Sequence, residues 1–439
     1  MKYRNIMLII FALTLIFVGI IRAEESMEKT RLVVTGLVTS GAAEKTGVII
    51  NDVLTKYDGK EVSTRNELNE LKNQVKSDSV EITVIRDGKE IIYKIPKGPI
   101  GAYLAELLPD LKLKEDAVVI EGIPKLGWET GKINSFIGAV ELVANHLGIK
   151  KDYVEIDGIS GAAFRLHFCK DWCPSSPDPT CGYNSGEAAL NALGLVFKTM
   201  HLSSDGKNKP AIKKAIMASI DKNIPVIAID LIDVPEWGVI TGYQNNGEEL
   251  LCRTYFDKRN SYEIAQKFPW ALYIITGTKP MANDISLYKQ SFKTILANLT
   301  TKNYGQYFSG INAFEQWIEH LANSDFANMD TSKFNNAVLA NSWIFDRLAM
   351  DRGDAVTYLE SVAVKMPEIS QKLTELAKIY RDESKMLQET KINIPNSNIV
   401  KSSKEWTQSM RQDEITLLQQ AEAKEVMGLN IWQEIIKEK

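Results

Sequence analysis

One short stretch near the amino end constrains the fold more than any other: RLVVTGLVTSGAAEKTGVIINDVLTKYDGKEVSTRNELNELKNQV, from Arg31 to Val75. Val33, Val34, Leu37 and Val38 predict an apolar strand, and Ser40-Gly41-Ala42-Ala43 opens a short helix that stops at Gly47, where positive φ is wanted. Asn51-Asp52 turns the chain into the strand Val53–Tyr57, and Asp58-Gly59 makes a tight turn. Ser63 or Thr64 then caps a helix with Leu68, Leu71 and Val75 on one face. A hairpin follows, with strands at Val80–Ile85 and Ile91–Ile95 joined at Asp87-Gly88.

This order of small helix, Gly-x-x-x-x-Asp-Val, Asp-Gly, long helix and hairpin resembles bacterial PDZ domains. The resemblance implies peptide binding: a loop of the form x-Φ-Gly-Φ holds a peptide carboxylate with backbone amides, and the peptide adds as a strand beside the next strand. Too few residues lie between the signal-like run that ends near Ala23 and Arg31 to supply that loop, but Pro99-Ile100-Gly101-Ala102 fits it afterwards, as in circularly permuted bacterial PDZ domains. Gly98–Leu104 then forms the last strand, and Leu68 and Leu71 of the helix line the other side of the groove. The alternative is that Gly98 and Pro99 simply open a linker.

The 439 residues allow about three domains, and neither 44% hydrophobic with 25% charged content nor a net charge of −4 suggests nucleic acid as a partner. Lys2 and Arg4 precede an uncharged run from Ile6 to Ile21, with a small residue for cleavage at Ala23. Residues 1–23 therefore read as a secretory signal or an uncleaved signal anchor, and the remainder as extracytoplasmic: periplasmic, secreted or held at the membrane by this segment. The expected domains are a PDZ domain at 30–105, an α+β domain at 118–280 and a helical domain at 285–439.

In the second region, Ser135–Gly148 predicts a helix, and the runs at 225–232, 236–243 and 249–256 predict strands. Four segments, NSFIGAVELVANHLG from Asn134, DGISGAAFRL from Asp157, WCPSSPD from Trp172 and EWGVITGY from Glu236, resemble the amino-terminal domain of the butirosin-biosynthesis protein H family. That family has a papain-like fold related to bacteriocin-processing cysteine peptidases. In catalytic relatives a cysteine opening the first helix attacks a carbonyl, a histidine opening a strand takes its proton, and an Asp or Asn orients the histidine. The resemblance places Ser135, Trp237 and Asp257 at these positions. Tryptophan cannot accept a proton, so the inherited site lacks its base and a pseudoenzyme is expected.

Gly158-Ile159-Ser160-Gly161-Ala162 approaches a nucleophile elbow but ends in alanine, so Ser160 reads first as a helix cap in a tight turn and only second as a nucleophile. Cys169, Cys173 and Cys181 lie within thirteen residues, with His167 nearby. An exported protein favours a disulfide in this loop, of unassigned pairing, over free thiols or zinc. The proline-rich loop 171–179 is either structural or one wall of a cleft, with Arg165, Trp172 and Trp237 as ligand contacts. No cofactor or bound metal is expected.

From about Ile285 the sequence is helical, with apolar stripes at Ile311–Leu321, Ala340–Leu348 and Leu373–Tyr380. Breaks are expected at 383–391 and 393–402, then a last helix whose Glu414, Glu422 and Glu425 form a solvated face. The class is thus α+β multidomain: a small PDZ β-sandwich or barrel with two helices, a papain-like domain and a helical bundle. Two functions stay open, an extracytoplasmic peptide- or protein-binding protein with a possible small ligand in its papain-like cleft, or an acyl- or amide-transfer enzyme or hydrolase.

Overall fold

A computed structural model of the protein describes residues 30–38 and 41–437. The amino-terminal hydrophobic run lies outside these residues, and no helix among those described is long and apolar enough to cross a membrane. The fold is mixed α+β in two compact units, one of residues up to Leu113 with Asp257–Glu263, the other of Lys114–Phe256 with Ile264–Lys439.

The first unit contains β1 (Arg31–Leu37), α1 (Ala42–Thr46), β2 (Val53–Tyr57), β3 (Lys60–Glu61), α2 (Arg65–Gln74), β4 (Ser79–Arg86), β5 (Lys89–Pro96) and β6 (Ala102–Leu107). Its sheet runs β5-β4-β2-β1-β6, with β3 beside β2. Alternation along these strands buries Leu32, Val34, Leu54, Val80, Ile82 and Val84 in one core, which Leu68 of α2 completes. Local chemistry sets the helix start: Thr64 and Glu67 form a reciprocal capping box. Asp52, the acid of the Gly-x-x-x-x-Asp-Val run, is fully buried and pairs bidentately with Arg86 at 2.7 Å on both oxygens, which fixes the turn into β2.

The second unit contains β7 (Val118–Val119), α3 (Ser135–His146), α4 (Tyr153–Ile159), β8 (His167–Cys169), α5 (Ser185–Ala192), β9 (Leu195–His201), α6 (Lys209–Ile220), β10 (Val226–Ile229), β11 (Trp237–Gln244) and β12 (Glu249–Arg253). After β13 (Glu263–Ile264) and β14 (Ala271–Thr278) come α7 (Asp284–Thr300), β15 (Asn303–Tyr304), β16 (Tyr307–Ser309), α8 (Gly310–Asn323), α9 (Thr331–Lys365), α10 (Ser370–Thr390) and α11 (Gln408–Lys437). The larger sheet runs β13-β12-β11-β10-β14-β9.

Apart from Asp257–Glu263, the segments 118–280 and 285–439 fold as one unit, for two reasons. The hairpin β15–β16 pairs with β8 across the expected boundary, Phe308 opposite Phe168. Arg352 of α9, fully buried, donates to the Ala163 carbonyl at 2.9 Å and to Glu425 of α11 at 2.5 Å. A glycine sits at the contact: a Cβ on Gly158 would lie 2.2 Å from the Tyr358 ring, so α4 approaches α9 only through this missing side chain.

The helical third departs from expectation in two places. Residues 383–390 continue α10, because Glu383 and Leu387 turn inward. Glu414 and Glu425 are not on a solvated face. They are 2% and 0% exposed, bonded to Asn341 and Arg352 respectively, and burial pushes the Glu414 carboxyl up to about 8. A sequence stripe shows apolar periodicity, but it does not show which acidic residues find an internal partner.

Candidate functional site

Two places assemble candidate residues, one in each unit. In the first, β6 lies antiparallel to β1, with Val34 opposite Leu104 and Leu37 opposite Ala102, and ends the sheet. The preceding loop is locked by its carbonyls: Val38 donates to Gly101 O at 2.9 Å and Ala43 to Ile100 O at 2.8 Å. The amides of Ile100 and Gly101 meet no acceptor among the described residues. Gly101 has φ +76°, and a Cβ there would fall 2.8 Å from the Ala42 nitrogen, so only glycine fits this bend. Two amides without partners among the described residues, beside an edge strand, offer what a carboxylate and an added strand require.

The side chains around this loop differ in accessibility. Ile100 and Leu68 are 4% and 3% exposed and belong to the core, while Leu71 and Ala102 are half-buried against it. The far end of β6 is tied to α2: Glu106 accepts from the Arg65 amide at 2.7 Å, and the Arg65 guanidinium donates to the Leu104 carbonyl at 2.5 Å. Arg65 therefore occupies a backbone acceptor of the edge strand. Sequence reading missed it because a helix-opening arginine carries no motif.

In the second unit α3 and β11 bring together residues 102 positions apart: the Trp237 amide donates to Ser135 Oγ at 3.3 Å. Ser135 follows the N-cap Asn134, whose side chain accepts from the Ile137 amide. Phe136 meets Trp237 and Tyr273 edge-on at 4.7 and 5.2 Å, which seats the helix start on the sheet. Trp237 supplies no proton acceptor at the histidine position, but a neighbouring carboxylate does stand here: the Ser135 hydroxyl donates to Glu236 Oε2 at 2.5 Å. Burial pushes the Glu236 carboxyl up, the bond from Ser135 pulls it down, and the Asp178 charge raises it again. Sequence reading fixed on the residue at the histidine position and passed over its neighbour.

The Trp237 indole N–H donates to Asp178 Oδ2 at 2.9 Å, and Asp257 falls in the segment grouped with the first unit. Asp178 is held in turn by the amide of Thr180 at 2.8 Å and its hydroxyl at 2.5 Å. Ser135 is only 5% exposed and Trp237 2%, so Glu236, which is half-buried, is the accessible member of the group.

The remaining candidates are structural. Ser160 is fully buried, donating to the Asp157 carbonyl at the end of α4. The Arg165 guanidinium donates to the carbonyls of Ser176, Pro177, Asp178 and Cys181 and so holds the proline-rich loop from inside. Trp172 is buried against Phe168, Phe326 and Trp406. The expected disulfide is absent, all four cysteines being free. Cys169 is buried on β8, and Cys173 faces the Tyr307 hydroxyl at 3.8 Å. Burial pushes the thiols of Cys169 and Cys181 up, which suppresses thiolate chemistry there.

Comparison with known proteins agrees with the first unit. Residues 19–96 match the PDZ domain family. The first unit is thus a PDZ domain, a peptide- and protein-interaction module. The match ends before β6, the strand that occupies the place beside β1. No curated protein matches the chain.

Proposed function

We propose that this chain is an extracytoplasmic binding protein whose PDZ domain captures a free peptide or protein C-terminus on the loop Pro99-Ile100-Gly101-Ala102. The observation that carries this reading is the pair of amides at Ile100 and Gly101, without acceptors among the described residues, at the start of an edge strand. The signal-like run from Ile6 to Ile21 supports the location. Peptides identical but for a free or amidated C-terminus test it by fluorescence anisotropy. Capture of the free form alone is expected, and Ile100→Asp abolishes it. Equal binding of both forms overturns the reading.

A second reading rests on the hydrogen bond between Ser135 and Glu236. In it, the second unit has the papain-like fold of the butirosin-biosynthesis protein H family, supported by the meeting of Ser135 with Trp237 at the expected cysteine and histidine positions. Ser135 Oγ attacks an acyl carbonyl as its proton passes to Glu236, and the proton then leaves with the departing group. A fluorophosphonate probe tests this directly: stoichiometric labelling, lost in Ser135→Ala, makes the unit an acyl-transfer enzyme or hydrolase. Labelling that survives Ser135→Ala removes the reading.

A further inference from the structure

Behind the Ser135 helix lies a group of carboxylates that neither reading uses. Asp157 of α4 and Asp351 and Asp354 of α9 each bring one oxygen within 4.8 Å of the other two. The two aspartates of α9 share a helix face by their i, i+3 spacing. Asp157 is fully buried and Asp351 3% exposed, with Asp354 half-buried.

The hydrogen bonding of these groups is one-sided. Asp157 Oδ1 accepts from the Asn134 side chain at 3.2 Å, and Asp351 Oδ2 from Arg347 at 2.9 Å. Asp157 Oδ2, Asp351 Oδ1 and Asp354 Oδ2 are buried without any partner among the described residues. Two carboxylates are thus held by one oxygen while the other is left bare, the usual arrangement where outer partners orient ligands toward an ion. Unpartnered buried oxygens are costly, and here each of the three residues carries one.

Charge points the same way. Arg347 is the cation bonded within the group, whereas Arg352 is engaged by Glu425 and Ala163, and Arg165 by loop carbonyls. The other group facing Asp157 is the Tyr153 hydroxyl, which accepts from the Asn134 amide at 2.9 Å. Three carboxylates against one bonded guanidinium leave about two negative charges.

We infer that Asp157, Asp351 and Asp354 bind a hard divalent cation, Ca²⁺ or Mg²⁺, that clips α4 to α9. The donors are all oxygen, which excludes a preference for soft metals. Three oxygens mutually within 4.8 Å can share one ion at about 2.8 Å or less from each, close to the Ca²⁺ range of about 2.3–2.6 Å. Because Asn134 bonds Asp157 and caps the helix that begins with Ser135, the ion would also fix the start of α3.

Isothermal titration of the EDTA-treated full chain with CaCl₂, and separately with MgCl₂, tests this, with thermal melts alongside. One ion per chain and a higher Tm on saturation are expected. Asp354→Asn, chosen because its half-buried side chain makes no ion pair among the described residues, should weaken binding at least tenfold with an unchanged circular dichroism spectrum. Asp157→Asn should do the same. Absence of saturable binding of either ion to the wild type overturns the assignment, as does undiminished binding to folded Asp354→Asn. The relative affinities of the two ions decide which one the site selects.

Discussion

The Ser135 hydroxyl and the Glu236 carboxylate meet at 2.5 Å, although one opens a helix and the other precedes a strand about a hundred residues later. If the pair is reactive, Glu236 must be ionised to take the proton. Its carboxyl is raised by burial, so fluorophosphonate labelling of Ser135 should increase as pH rises through a value above the ordinary carboxylate range. Glu236→Gln should cut the labelling rate by about 10²-fold or more and remove this pH step. A rate independent of both changes would show a carboxylate that only holds the helix start.

Gly101→Ala places a Cβ against the Ala42 nitrogen at a residue with φ +76°. A loss of stability of about 1–3 kcal/mol is expected by urea denaturation, together with loss of capture of free C-termini. Gly59→Ala is the control, since its φ is also positive but nothing lies within 4 Å.

Arg65 should compete with an added strand, because its guanidinium already donates to the Leu104 carbonyl. Arg65→Ala frees that acceptor. Peptides long enough to reach Leu104 should bind about three- to tenfold more tightly, while shorter ones are unaffected. Anisotropy with a peptide length series separates the two cases.

Glu414 sets a pH dependence of stability. Its folded carboxyl is pushed up to about 8, against about 4.3 in the unfolded chain. The folded state therefore keeps a proton that the unfolded state releases, and stability falls as pH rises from about 4.3 to about 8, then levels. Glu414→Gln can still accept from Asn341 and cannot ionise. Its unfolding free energy should exceed that of wild type at pH 8, by up to about 5 kcal/mol, and match it near pH 4.

Arg352 joins Ala163 to Glu425 within the second unit. Arg352→Met leaves Glu425 and Glu383 buried without their cation, which should cost about 3–5 kcal/mol. The triple variant with Glu425→Gln and Glu383→Gln should recover much of that loss, measured by chemical denaturation.

How much of this was legible in the sequence follows the range of the forces involved. In the PDZ domain, the Gly47 stop, the Thr64 cap and the Asp58-Gly59 turn are local, and the structure places each where the residues indicate. The β6 strand was legible as one of two alternatives, since a loop signature cannot say which neighbour its strand will find. The proline-rich loop misled for the opposite reason: three nearby cysteines suggest a disulfide, yet the loop is held by one guanidinium reaching four carbonyls.

By itself, then, the sequence determined the periodicities, turns and caps that make a PDZ domain and the helical stripes of the second unit, because these depend on residues a few positions apart. Only the tertiary structure decided what stands beside Ser135, which glutamates are buried, and that three aspartates converge. Those depend on side chains brought together from distant elements, where distance in space and loss of water set the chemistry.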